Sequence, residues 1–267
     1  KKSKNIPIGI QISHSGRKGS SFVPWIKKNK PLNKKNKSWQ TFSASEVNRD
    51  KGWPKPKKLS AKNIDTVINQ FKNTALRAKR VGFDCLEIHM AHGYLLHQFL
   101  SPISNFRLDK FGLNNKDRLS IFPLKIAQVV RKIWPKEKIL GARITATDHL
   151  KSGLTIKDSI SLTKKLKKIG FDYVCVSSGG ILPVTKMKTK KAFRKNLSKK
   201  IKKNVKIKVR TSGEIDNFHL ADKLIKGEFV DFVAIGRKLI KDPKWILNEA
   251  KKRHIKDYIP KQYLRCF

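Results

Sequence analysis

Short apolar runs and amphipathic stretches alternate along the whole chain. Ile6 to Ser13 (IPIGIQIS) predicts a strand that ends before Gly16. Ser60 is placed to cap a helix in which Ile64, Val67, Ile68, Phe71 and Ala75 share one face, and Gly82 ends it. Phe83 to Ile88 predicts a strand too apolar to have a solvated face. Leu124, Ala127, Val130 and Trp134 mark a helix that stops at Pro135, and Ile139 to Thr145 predicts the strand after it. Thr155 with Asp158 has the spacing of a capping box, followed by Ile156, Ile160, Thr163 and Leu166 on one helical face and by Gly170. Phe171 to Val176, Val205 to Val209 and Val230 to Ile235 predict three more strands. A helix from Asp216 to Gly227 precedes the last of them, and another from Pro243 to Lys252 follows it. Lys27 to Lys58 carries no such period; its prolines and tryptophans predict a long polar excursion over one face.

About six β-α units in succession predict an α/β protein with a parallel sheet. Periodicity does not separate an open doubly wound sheet from a closed barrel. A complete (β/α)8 TIM barrel needs eight units, so as a barrel the chain lacks the first two strands. Residues 1–267 are expected to form one domain, incomplete at the N-terminus, of a longer protein.

Composition narrows the class. Hydrophobic residues make up 39% of 267, as in a globular protein. No apolar run is long enough to span a bilayer, and the basic start Lys1-Lys2-Ser3-Lys4-Asn5 is not followed by an apolar signal core. Three unpaired cysteines, Cys85, Cys175 and Cys266, argue against a disulfide framework or a Cys-rich metal or iron–sulfur site and fit a reducing cytoplasm. The net charge of +43 would draw nucleic acid or anionic membrane. The lysines, however, lie on nearly every helix and loop rather than in one stripe interleaved with aromatics. The expectation is a generally basic surface without a dedicated nucleic-acid site.

The polar residues that change the picture sit at strand ends. In a β/α barrel the chemistry gathers at the C-terminal pole of the strands. There the chain places Gln11 to His14, Glu87 to His89, Arg143 to Thr145, Ser177 to Gly180, Arg210 to Gly213, and Gly236-Arg237. Glycine beside arginine suits close backbone approach to a phosphate. The densest cluster is His89-Met90-Ala91-His92-Gly93-Tyr94. Two neutral imidazoles three residues apart can converge on one carbonyl oxygen, and the tyrosine can give a proton. A His-x-x-His metal site is the competing reading, although no third ligand is evident and no metal is expected.

GFDCLEIHMAHGYLLHQFLSPISNFRLDKFG (Gly82 to Gly112) resembles the signature of the Old Yellow Enzyme family in its bacterial NADPH-dehydrogenase-like branch. QISHSGRKGS, WPKPKKLS, RITATDHLKSGLT, DYVCVSSGG and DFVAIGRKLIKDP follow in the family's order. The resemblance implies an FMN-dependent, NADPH-driven ene-reductase acting on α,β-unsaturated carbonyl compounds. It implies that His89 and His92 hold the substrate oxygen, and that Tyr94 is the proton donor. Gln11, Arg143, Gly213, Gly236 and Arg237 would bind FMN. Arg265, in Gln262 to Arg265, would reach a neighbouring subunit's site in a homo-oligomer. Another FMN-barrel oxidoreductase, such as a dienoyl-CoA reductase, or a basic nucleic-acid-binding protein are the alternatives. The chain departs from the family pattern in four places: the family's opening strands, which supply further flavin contacts, have no counterpart; Leu113-Asn114-Asn115 replaces a glycine and serine; the stretch from Val184 to Lys200 is lysine-rich; and Arg210 to Gly213 is one residue short.

Overall fold

The computed structural model describes residues 6–114, 118–183, 190–256 and 259–266. Strand β1 (Gly9–Ile12) is followed by a short parallel ladder of β2 (Phe42–Ser43) and β3 (Lys57–Lys58), then by α1 (Ala61–Arg80) and β4 (Cys85–Met90). Helices α2 (Leu95–Leu100) and α3 (Ile121–Ile133) lead to β5 (Ile139–Thr145), and α4 (Ile156–Ile169) leads to β6 (Tyr173–Ser177). Then come α5 (Lys195–Val205), β7 (Lys208–Ser212), α6 (Phe218–Lys226), β8 (Phe232–Ala234), α7 (Arg237–Lys241) and α8 (Trp245–Lys252). A 3-10 turn, Lys261–Cys266, closes the described chain.

The six long-range strands pair in the order β1-β4-β5-β6-β7-β8, every pair parallel. This is the strand order of a (β/α)8 barrel over six units, with β1 and β8 as free edges among the described residues. Ile6, Ile8 and Phe232 stand exposed along those edges.

The sheet is apolar outside and polar inside. Leu86, Ile88, Met90, Leu140, Ala142, Ile144, Val174, Val176 and Val209 are fully buried in the main core. The alternate positions of the same strands carry Glu87, His89, Arg143, Thr145, Cys175, Ser177, Arg210 and Ser212. In register, Gln11 lies beside Glu87, His89 beside Arg143, Arg143 beside Cys175, and Cys175 beside Arg210. Hydrophobic burial against the helices holds the sheet together, which leaves the inner face free for polar groups.

The helices form for the expected reasons. Ser60 Oγ accepts from Asn63 N–H at the start of α1, whose buried face is Ile64, Val67, Phe71, Ala75 and Ala78. Thr155 and Asp158 form the complete capping box of α4, which ends at Gly170 with φ +98°.

Several expectations need correction. The strand expected over Val205 to Val209 is β7, Lys208–Ser212; Val205 instead closes α5, whose buried face is Ser198, Ile201 and Val205. The helix expected from Asp216 is capped by Asn217 and starts at Phe218. The segment from Pro243 is preceded by a separate short helix, α7. The excursion from Lys27 to Lys58 contains the β2–β3 ladder. Helix α2 had no periodic signature, because all six of its residues are buried. Asn115 and the stretch 184–189 lie outside the described residues.

Candidate functional site

Strand β4 ends at Met90, and the next turn carries His92 and Gly93 at φ +59° and +70°. Two successive left-handed residues fold the chain back on itself. That turn brings both His92 and Tyr94 beside His89. The His89 ring lies 5.0 Å from His92 and 5.1 Å from Tyr94, edge to face in each case. His92 Nδ1 and His89 Nε2 share a hydrogen bond of 3.2 Å, and His92 Nε2 and Ser177 Oγ share one of 2.6 Å. His89 Nδ1 is buried without a partner. When Ser177 donates to His92, the protons line up so that His89 Nδ1 carries an N–H without an acceptor. Gln11, Ser13, Ser15, His89, His92, Tyr94 and Arg143 line a cleft of about 540 Å³ here.

Both imidazoles are held neutral. Burial first, and then the Arg143 guanidinium, lower His89 to about 4 and His92 to about 2; Lys18 adds to both. Lys18 Nζ donates to the His92 carbonyl at 2.7 Å and lies 5.0 Å above the Tyr94 ring. The histidines of an unfolded chain titrate near 6.5, so unfolding takes up protons below that pH. The urea midpoint should therefore fall as pH drops from about 6.5 towards 4, with no contribution from this pair above 7. The fall should be steeper than in a His89→Ala/His92→Ala variant. An equal pH slope in the two proteins would show that the rings carry charge in the folded state.

A second cleft, of about 720 Å³, adjoins the first and shares Arg143 with it. Lys191, Arg194, Ser212, Gly213, Gly236, Arg237, Lys238 and Lys241 also line it. Arg143 donates to Ser212 Oγ at 3.3 Å, while its buried Nε has no partner. Gly213 sits at φ +135°, and no heavy atom lies within 4 Å of a Cβ built at Gly236. These features suit a ligand with an anionic end among the cations and a flat end in the first cleft, bridged by Arg143. FMN has that form, so the residues present fit it. Gln11 Nε2 donates to Glu87 Oε1 at 2.6 Å, which leaves the amide carbonyl as its free end. Glu87 also accepts from Tyr173 Oη at 2.8 Å and from Arg210.

The structure thus brings Gln11, His89, His92, Tyr94, Arg143, Gly213, Gly236 and Arg237 to one pole. Arg265 stands apart, exposed in the C-terminal 3-10 turn. His14, another polar strand-end residue, is occupied locally, its Nδ1 accepting from Gly16 N–H at 3.0 Å. Sequence reasoning missed Lys18, which lies within QISHSGRKGS, and Arg194, which lies in the lysine-rich departure. Arg194 donates to Ser178 Oγ at 3.2 Å and to the Ser212 carbonyl at 3.1 Å. Burial, and then Arg143, lower it to about 10. One cation among many lysines gives no sequence signal of this kind. Among the described residues no group of three or more His, Cys, Asp or Glu is arranged to hold a metal ion. No helix among them is long and apolar enough to cross a membrane.

Comparison with known proteins matches residues 2–256 to the NADH:flavin oxidoreductase / NADH oxidase family. An NADPH dehydrogenase of Clostridium acetobutylicum is 34% identical over 263 residues, covering 97% of this chain and 72% of that protein. An NADPH dehydrogenase of Geobacillus thermodenitrificans is 33% identical over 258 residues, covering 97% and 70%. Among solved structures, 2-naphthoyl-CoA reductase with 2-naphthoyl-CoA superposes with a TM-score of 0.77 at 21% identity, over 94% of this chain and 38% of that one. Morphinone reductase in complex with tetrahydroNAD gives 0.68 at 20% identity, over 94% and 67%. The structural likenesses speak for the barrel fold alone.

Proposed function

The chain belongs to the NADH:flavin oxidoreductase / NADH oxidase family, the flavin-dependent oxidoreductases whose cofactors are FMN and NADPH, and from that premise we propose that it reduces the C=C bond of α,β-unsaturated carbonyl compounds. The observation that carries this substrate class is the pair of neutral imidazoles beside a phenol, in a cleft joined through Arg143 to a cationic one.

When bound, FMN supplies the two-electron relay between NADPH and acceptor. Gln11, Arg143, Gly213, Gly236 and Arg237 are its proposed holders, with Arg194 added from the geometry. The imidazole N–H of the histidine pair holds the carbonyl oxygen. It draws electron density from the conjugated C=C bond and so makes the β-carbon electrophilic. Neutral rings suit this role, because each carries one N–H donor without placing a full positive charge in the cleft. Tyr94 is the proposed donor of the proton to the α-carbon. Arg143, which lines both clefts, would supply positive charge that favours an anionic reduced flavin. Arg265 is assigned to the site of a partner subunit in a homo-oligomer.

The test is direct. Purified protein should show a flavin band in the visible spectrum, and NADPH oxidation should consume cyclohexenone and yield cyclohexanone. Protein that binds FMN and oxidises NADPH but leaves the enone intact overturns the substrate class.

A further inference from the structure

We propose that His97 and Asp148 are positioning residues, a buried imidazole–carboxylate pair that sets the His92–Tyr94 turn from beneath without lining the cleft. The proposal rests on the reading of that turn as the carbonyl site.

Helix α2 starts directly after Tyr94, so its first turn returns beneath the chain that precedes it. His97 Nδ1 accepts from Gly93 N–H at 2.7 Å, and Gln98 Nε2 donates to the Gly93 carbonyl at 2.7 Å. Two successive side chains of α2 therefore hold both polar groups of one peptide residue. The partners fix the tautomer: with Nδ1 accepting, the ring proton is on Nε2. Nε2 lies 3.0 Å from Asp148 Oδ1, off the line of an ideal hydrogen bond, and neither atom has another partner. The other carboxylate oxygen, Oδ2, accepts from Ser101 Oγ at 2.7 Å and from Leu154 N–H at 2.8 Å.

His97, Gln98, Ser101 and Asp148 are all 0% exposed. Burial alone would raise the Asp148 carboxyl, but His97, Ser101 and Leu154 hold it below the usual carboxylate range. The charge is also opposed by the Arg17 guanidinium, itself 2% exposed. Arg17 N–H donates to Gln98 Oε1 at 3.3 Å, and Arg17 NH2 donates to the Ile181 carbonyl at 3.0 Å. The clamp thus ties α2, the loop after β5 and the loop after β6 to one turn.

The turn needs such a clamp. His92 holds a positive φ that a side chain disfavours, and Gly93 packs its backbone against Gly180. Without a fixed partner for Gly93 N–H, the turn can relax and move His92 and Tyr94 away from His89. A loss of about one ångström of alignment is enough to cost about 100-fold in rate.

The experiment compares His97→Gln with His97→Leu in the FMN-loaded protein. Glutamine can present a carbonyl to Gly93 and an N–H₂ to Asp148, as this tautomer does; leucine keeps only bulk. For His97→Leu we expect flavin retained, reduction by NADPH within about twofold of the parent, and kcat with cyclohexenone lowered about 100-fold. His97→Gln should recover to within about tenfold. Parent-like kcat in His97→Leu overturns the proposal, as does a glutamine variant as poor as the leucine one. If His89→Ala/His92→Ala leaves enone turnover intact, the carbonyl-site reading itself fails, whatever His97 does. Should His97→Leu not fold, histidine-ring ¹⁵N NMR of the parent decides. An Nε2–H tautomer for His97 supports the clamp, and an Nδ1–H tautomer overturns it.

Discussion

Replacing His89 and His92 together by alanine lowers enone turnover by about 100-fold or more while FMN stays bound. The size follows from what the pair supplies. A preorganised donor aimed at developing negative charge on oxygen contributes about 2.7–4 kcal/mol, or 10²–10³ in rate. The two rings act as one unit through their shared hydrogen bond and Ser177, so the single variants are expected to lose nearly as much as the double one. The cationic cleft around Gly213 and Gly236 is untouched, which is why the flavin should remain. Steady-state turnover of cyclohexenone and the bound-flavin spectrum, recorded on the same sample, check both halves. His92→Asn keeps a donor of similar reach and should lose less. Unchanged turnover in the double variant would remove the histidines from the carbonyl site.

Gly93→Ala has the largest expected effect of any single methyl group near the site. A Cβ at Gly93 would lie 2.2 Å from the Gly180 carbonyl oxygen and 3.0 Å from Ile181 Cα. Both are backbone atoms, so no side-chain rotation relieves the contact. Gly82→Ala is the control: Gly82 also has positive φ, at +88°, but no heavy atom lies within 4 Å of its Cβ position. The control should cost about 1–2 kcal/mol, the price of a left-handed alanine. Gly93→Ala should cost about 1–3 kcal/mol beyond that and should abolish turnover, because relief requires the β4 and β6 loops to part. Urea unfolding of the two variants measures the difference directly; equal losses would mean that the close approach of the loops is not real.

How far the sequence reveals this molecule depends on whether a feature is local. The capping box of α4 was legible because Thr155 and Asp158 report on one turn of backbone. The polar pole was legible because β strands alternate, and six of them place unlike residues at corresponding ends. The boundary between α5 and β7 was not. Val205, Ile207 and Val209 continue an apparent alternation across a helix end, and Lys206 occupies the left-handed cap position where glycine would have marked the stop. Helix α2 was hidden because a fully buried helix has no amphipathic period. His97 carries no local signal of its role, since its partner Asp148 is distant along the chain and meets it only in the fold. Arg194 was hidden for the opposite reason: lysine and arginine surround it in the sequence, and only three-dimensional proximity to Arg143 distinguishes it.

The middle of the sheet gives the site its footing. His89, Arg143 and Ser177 come from β4, β5 and β6, each hydrogen-bonded to a strand on both sides. Strands held in this way open only at free energies close to that of global unfolding. The histidine pair, its Ser177 partner and Arg143 therefore keep their spacing for as long as the sheet itself persists, and their amides are expected among the last to exchange with solvent.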